Sequence, residues 1–411
     1  MPRVTALDSK PFLDHGRSAI QALRRALADV LRSVGADAEQ PQEISRKFGL
    51  DKTLTWRIAR VVREDDAWEA VAHIPRKPSI AIFVEAMTRY GAPADRVDVL
   101  WQAHREFEQF IETHSGDRET LEMMASGAAR KSASKRLEAF RKDAYVGNSA
   151  IWGVSARTQF SLRLVSPSKS EGMLDLATIT GLAGFRRLRS NISWAITSIN
   201  DWDQQAAPSN RHFDRAVPLD PKVERGQPPL LLDFCNQPLP HIGVLEHPAG
   251  TFRYMLGGGA IGNTATADVV MGWVDRDAVP ATQSYPGERG EHGVNLSTPA
   301  EWVIQDVLLH RDLSFADNPE ACVYSQLPGG PLYPTAGPDA AILPVSAEVI
   351  DLGSGPPNTT APEVDRYSEI AEFAAAQMGF ALDDYFGYRI RLRYPPIPSL
   401  LVLSHALKPR V

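Results

Sequence analysis

The amino-acid sequence predicts an α+β protein, with an N-terminal all-α domain over residues 1–127 and a larger β-rich domain over residues 146–411. Three observations carry the prediction. Apolar residues in the first part recur at helical spacing, and proline and glycine are sparse there. After residue 146, runs rich in β-branched and aromatic residues alternate with proline- and glycine-rich clusters such as "GQPPL", "LPGGPLYPTAGP" and "GSGPPNTTAP". The charge divides in the same sense: residues 1–77 hold 14 Lys plus Arg against 11 Asp plus Glu, while the remainder carries a balance of −9. At 411 residues the chain also exceeds what one hydrophobic core fills, so two domains are expected.

The elements follow in order. "SAIQALRRALADVLRSVG", residues 18–35, has the stripe of an amphipathic helix. "EISRKFGLDKTLTWRIARVV", residues 43–62, reads as two short helices joined by a glycine turn. "SIAIFVEAMTRYG" is a further helix, closed by Gly91 where a left-handed cap is favoured. Val97, Leu100, Trp101, His104, Phe107 and Ile111 form one stripe along a helix, so His104 is expected as a core histidine rather than a metal ligand. "GDRETLEMMASG" is a short last helix.

Residues 128–145 form a basic linker helix with Arg130, Lys131, Lys135, Arg136, Arg141 and Lys142, expected as a solvated connector, with phosphate contact the alternative. "AIWGVSARTQFSLRLV", from residue 150, reads as strand. One helix is expected within the β-rich part, over residues 362–379, with Pro362 in its first turn and Gly379 as its cap. The final "YRIRLRYPPIPSLLVLSHAL" gives a strand, a proline corner and a second strand. Its alternation puts Arg389, Arg391 and Arg393 on one face, where pairing with local carboxylates is expected over an anion site.

Composition bounds the function. A net charge of −6 argues against a chain that is basic throughout, yet leaves room for a local cationic surface. Two cysteines, Cys235 and Cys322, are too few for a disulfide framework. The opening "MPRVTALDSKPFLDHG" has no apolar core of a signal peptide, and no run reaches the roughly 20 apolar residues of a membrane span. A cytoplasmic protein is expected, and the sequons at Asn191, Asn295 and Asn358 are read as accidental.

The segment after residue 43 carries the functional expectation. Gly49 permits a positive φ in the turn, and Asp51 is a good N-cap for the second helix. Leu50, Leu54, Ile58 and Val61 fall on one side of that helix; Thr53, Trp56, Arg57 and Arg60 fall on the other, with Lys52 at its start. Residues 41–63 hold six Lys plus Arg and two acids. In the order Ile44, Ser45, Phe48, Gly49, Leu50, the segment resembles the helix-turn-helix of bacterial transcriptional regulators, with residues 18–35 as the preceding helix. Ser45 stands where that family commonly has alanine, and Thr55 where it usually has a core aliphatic, so that Leu54 takes over that place.

The resemblance implies a DNA-binding regulator. It would dock on double-stranded DNA through Lys52, Thr53, Trp56, Arg57 and Arg60, as a homo-oligomer. The β-rich domain would sense a small-molecule or anionic ligand or mediate assembly. No catalytic residue, metal or cofactor is expected from it. Two other readings stand beside this one: an enzyme with its site in the β-rich domain, and an assembly protein using the helix pair for protein contacts.

Three other stretches imitate motifs. "LGGGAIGN", residues 256–263, satisfies G-x-G-x-x-G formally, but strand rather than helix is expected after it, which suits a glycine-rich hairpin and not a dinucleotide site. "LLHRDLSFADN" imitates a kinase catalytic loop, with Asp317 where its asparagine would stand; His310, Arg311 and Asp312 are expected to make local hydrogen bonds. "DFCNQPLPHIGVLEH" gathers Asp233, Cys235, His241, Glu246 and His247, residue types a zinc hydrolase uses, at a spacing that fits no established ligand pattern.

Overall fold

The computed structural model describes residues 10–128, 133–200, 217–247, 251–285, 287–313, 319–327 and 341–409. Its layout is α+β, helices first and sheets after, and the chain divides into two compact units, Met1–Leu137 and Glu138–Val411.

In the first unit the apolar stripes become helices: α1 (Lys10–Ser33), α2 (Pro41–Phe48), α3 (Lys52–Arg63), α4 (Ala67–Ala70), α5 (Lys77–Arg89), α6 (Ala94–His114) and α7 (Arg118–Ala128). Their inward faces share one core, to which α1 gives Ile20, Leu23 and Leu27, α5 gives Phe83 and Met87, and α6 gives Leu100, Phe107 and Phe110. His104 lies buried on the α6 stripe, its Nε2 3.6 Å from the Glu108 carboxylate, and burial lowers its pKa. Near the start of α1, Gly16 lets the Trp68 and Phe110 rings lie directly on the helix backbone.

The connector differs from expectation at its end. Helix α8 spans Ala133–Trp152, so residues 150–152 close a helix instead of opening a strand. Gly153 is the reason: at φ +71° it turns the chain out of the helix, and its carbonyl accepts the Leu188 N–H at 2.8 Å. Arg130 and Lys131 lie outside the described residues.

The second unit contains β1 (Val154–Pro167), β2 (Met173–Arg187), β3 (Trp194–Asn200), β4 (Val217–Pro218), β5 (Ile242–His247), β6 (Thr251–Leu256) and β7 (Ala267–Pro280). It continues with β8 (Arg289–Leu296), β9 (Ala300–His310), β10 (Glu320–Ser325), β11 (Val349–Ser354), α9 (Tyr367–Met378), β12 (Tyr385–Arg393) and β13 (Ser399–Ala406). A seven-stranded sheet has the order β11-β12-β9-β1-β2-β7-β4, and two three-stranded sheets have the orders β10-β13-β8 and β3-β6-β5. The β1–β9 pair is parallel, with Phe160 opposite Ile304.

Strand alternation gives the large sheet two buried faces. On one, Phe160, Leu162, Leu164, Ile304 and Leu308 pack with Tyr367, Ile370, Ala371 and Ala374 of α9. On the other, Val165, Val303, Val307 and Leu309 pack with Val294 and Leu296 of β8 and with Leu401 and Leu403 of β13. This second interface includes a polar patch. Gln159 Nε2 donates to the Asn295 carbonyl at 2.7 Å and Gln305 Nε2 to the His292 carbonyl at 2.6 Å. Beside them the buried rings of His292 and His405 lie stacked, with Nε2 to Nε2 at 3.2 Å.

The expected helix over residues 362–379 starts late, at Tyr367, although Gly379 does cap it with φ +88°. Tertiary hydrogen bonds hold the preceding residues out of the helix, and the chain turns over residues 362–366. The Thr359 and Thr360 carbonyls accept from Arg389, and the Glu363 carbonyl accepts from Thr158. The three arginines of β12 meet carboxylates. Arg389 makes a buried two-pronged pair with Asp306, both bonds at 2.7 Å, Arg391 pairs with Glu363 over the Trp302 ring, and Arg393 lies 3.8 Å from Glu138.

Candidate nucleic-acid interface

The geometry around α3 is built from the turn outward. Gly49, at φ +69°, closes α2, and the Leu50 N–H donates to the Ser45 carbonyl at 3.2 Å. Ser45 is buried, and its hydroxyl donates to the Leu50 carbonyl at 2.7 Å, so the serine ties both sides of the turn together. Asp51 then caps α3, accepting from the N–H groups of Thr53 at 2.8 Å and Leu54 at 3.1 Å. The bond from Leu54 is the first reason that its carboxyl titrates below the ordinary aspartate value.

Below this turn, Ile44 and Phe48 of α2 and Leu54, Ile58, Ala59 and Val61 of α3 are buried. Thr55 is buried too and satisfies its own hydroxyl on the Lys52 carbonyl at 3.0 Å, so Leu54 and Thr55 both point inward. The helix pair is fixed to α1 by polar contacts. Arg24 donates to the Val62 carbonyl at 3.2 Å, and the Lys47 ammonium donates to the Val34 carbonyl at 3.2 Å.

All five residues singled out in the sequence lie exposed on the outward side: Lys52, Thr53, Trp56, Arg57 and Arg60. Arg60 stands 3.4 Å from Glu64, and Arg63 stands 3.0 Å from Glu39. Lys52 and Arg57 form no ion pair among the described residues. The face thus offers exposed cations above an anchored helix, which suits contact with an array of phosphates.

One neighbour of this face escaped the sequence reading. His73 meets the Trp56 ring edge-on, centroids 5.3 Å apart. Burial first, then Arg60 and Arg136, lower its pKa, and Arg57 adds to the same effect. Nothing in the local pattern signals this contact, because it is made across a loop by the chain's return past α4.

The other candidates do not assemble. Cys235 Sγ lies 3.3 Å from the Val270 nitrogen and 3.4 Å from its oxygen, and burial pushes its thiol up to about 11. It lines a cavity of about 170 Å³ with Asp233, Asp268, Asp365 and Arg366, below the roughly 300 Å³ at which small-molecule sites usually begin. His241 is exposed and belongs elsewhere, its carbonyl accepting the Gly257 N–H at 3.0 Å. The side chains of Glu246 and His247 lie outside the described residues. Among the described residues no group of three or more His, Cys, Asp or Glu gathers to hold a metal.

The glycine-rich stretch leads from β6 through a single 3₁₀ turn into β7, and Arg187 closes it by donating to the Gly257 carbonyl. No helix follows to receive a pyrophosphate. Arg311 pairs with Asp384, and His310 Nδ1 accepts the Asp312 N–H at 3.3 Å, while Asp317 and Asn318 lie outside the described residues. No helix among the described residues is long and apolar enough to cross a membrane. No protein-family model matches the chain, and no curated protein matches it.

Proposed function

We propose that this protein is a cytoplasmic DNA-binding protein of the transcriptional-regulator type, built on a helix-turn-helix at α2 and α3. Lys52, Thr53, Trp56, Arg57 and Arg60 make the contact with double-stranded DNA. One observation carries the reading: α3 is capped and anchored on its inner side while every residue that could meet DNA stands exposed on its outer side. A helix presented in this way fits a major groove, with cations for phosphates and guanidinium groups for guanine edges. The β-rich unit serves as the ligand-sensing or assembly part.

A single module of this kind buries too little surface for high specificity, so the protein acts as a homo-oligomer. The outward side of α8 supports this. Phe140, Ala144, Gly147 and Ile151 follow one another at steps of four, three and four. All four are exposed, Phe140 by 42% and Ile151 by 68%. About a two-fold axis between Ala144 and Gly147, a helix packing antiparallel on its own copy would bring the two large ends together and the two small middle residues together.

Salt-titrated binding of the full chain to mixed-sequence duplex DNA tests the DNA reading. Affinity should fall steeply with salt, and Arg57→Ala/Arg60→Ala should weaken binding and flatten the slope by about one for each phosphate no longer neutralised. Absence of binding at low salt would sink the reading.

A further inference from the structure

Among the five residues of the outward α3 face, Trp56 alone is large and apolar. Its indole is 51% exposed, yet its position is held, because the ring meets His73 with the two planes at 83°. The folded unit therefore leaves an apolar plate in water on its most cationic helix. Lys52 lies one turn before it, Arg57 beside it and Arg60 one turn after it, all exposed. His73 supports the plate from behind, and burial with the nearby arginines lowers its pKa against the opposing Glu64 carboxylate.

Such a surface has few counterparts on duplex DNA. The backbone is anionic, and the base edges in the major groove are hydrogen-bonding groups with one apolar exception, the C5 methyl of thymine. A methylated cytosine carries the same methyl at the same ring position. We infer that Trp56 is a specificity-determining residue that covers a pyrimidine C5 methyl in the major groove, while Lys52 and Arg57 fix the helix on the adjoining backbone. The inference rests on the duplex-DNA reading above, and it adds the chemical class of base that is read.

Four alternating duplexes test it with the full-length protein at one low salt concentration: adenine–thymine, adenine–uracil, guanine–cytosine and guanine–5-methylcytosine. Each pair differs only in the methyl group, and an alternating repeat offers every register, so no operator needs to be known. Wild type should bind the methyl-bearing member more tightly, by about fourfold per covered methyl. Trp56→Ala should bind the two members of a pair alike, and Trp56→Phe should keep part of the difference. A preference within the thymine pair assigns thymine as the source, and a preference within the cytosine pair assigns 5-methylcytosine; either one, lost in Trp56→Ala, supports the inference, and a preference that survives in Trp56→Ala overturns it. Equal wild-type affinities within both pairs overturn it and leave the DNA reading intact. No binding to any of the four overturns it together with that reading.

Discussion

At the scale of single residues, the sites that matter are those where one atom decides what can fit. Gly16 is the sharpest case. A Cβ there would stand 2.7 Å from the Phe110 ring and closer still to Trp68, which is 2% exposed and has no room to move. On helix propensity alone, Gly16→Ala should stabilise α1 by up to about 1 kcal/mol. The overlap outweighs that gain, and the variant should lose about 1–3 kcal/mol in chemical denaturation; a more stable variant would show that the rings can shift. Residue-scale roles were unevenly legible in the sequence. The cap at Asp51 and the turn at Gly49 could be read, because both depend on neighbours within four positions. The Ser45 hydroxyl, the Asp306 partner of Arg389 and the His73 ring against Trp56 could not. Each is supplied by a backbone bend or a chain return that no local pattern records.

Helices and strands were legible wherever a period ran uninterrupted. The inward and outward sides of α3 follow from its 3.6-residue repeat, and the exposure of Lys52, Thr53, Trp56, Arg57 and Arg60 came with it. Element ends were misread where tertiary bonds overrule local preference. Pro362 suits a first turn, but Arg389 and Thr158 engage the carbonyls of Thr359, Thr360 and Glu363, and the chain makes turns up to residue 366, so α9 begins at Tyr367. Residues 150–152 suit a strand, but they finish α8 because Gly153 supplies the exit. The outer side of α8 was read only for its charge, and its apolar order makes a separate prediction. Sedimentation of the wild-type chain should reveal a dimer, and Ile151→Glu or Phe140→Glu should weaken association at least tenfold, since either change sets a charge against a surface whose apolar burial is worth roughly 1.5–3 kcal/mol per side chain. A wild-type chain that sediments as a monomer at every concentration would rule out the α8 interface.

For the whole molecule, the division of charge and texture announced two units, and the cationic lean of the first is concentrated where α2 and α3 present their outer sides. What the sequence left open is how the second unit closes its interior. Its two β layers meet partly through amide and imidazole groups, and the His292–His405 pair has a consequence for solution behaviour. Both imidazoles have lowered pKa values, His292 by burial and then by Arg163 and its partner ring, His405 chiefly by burial. The folded chain therefore holds fewer protons than the unfolded chain below about pH 6.5, the ordinary histidine value. Stability contributed by the neutral pair is fully present above that pH and declines as pH falls toward the folded values. Thermal unfolding between pH 7.5 and 5 should show this decline, and His292→Asn should make it shallower; a wild-type midpoint that stays level over the range would contradict the assignment. Seen as linkage, the proton is a ligand of the unfolded chain, and the stacked imidazoles, together with His73 and His104, are places where the folded chain declines to bind it. Mild acid then acts on this protein by mass action, drawing molecules out of the native population with no bond in the native state having to be attacked.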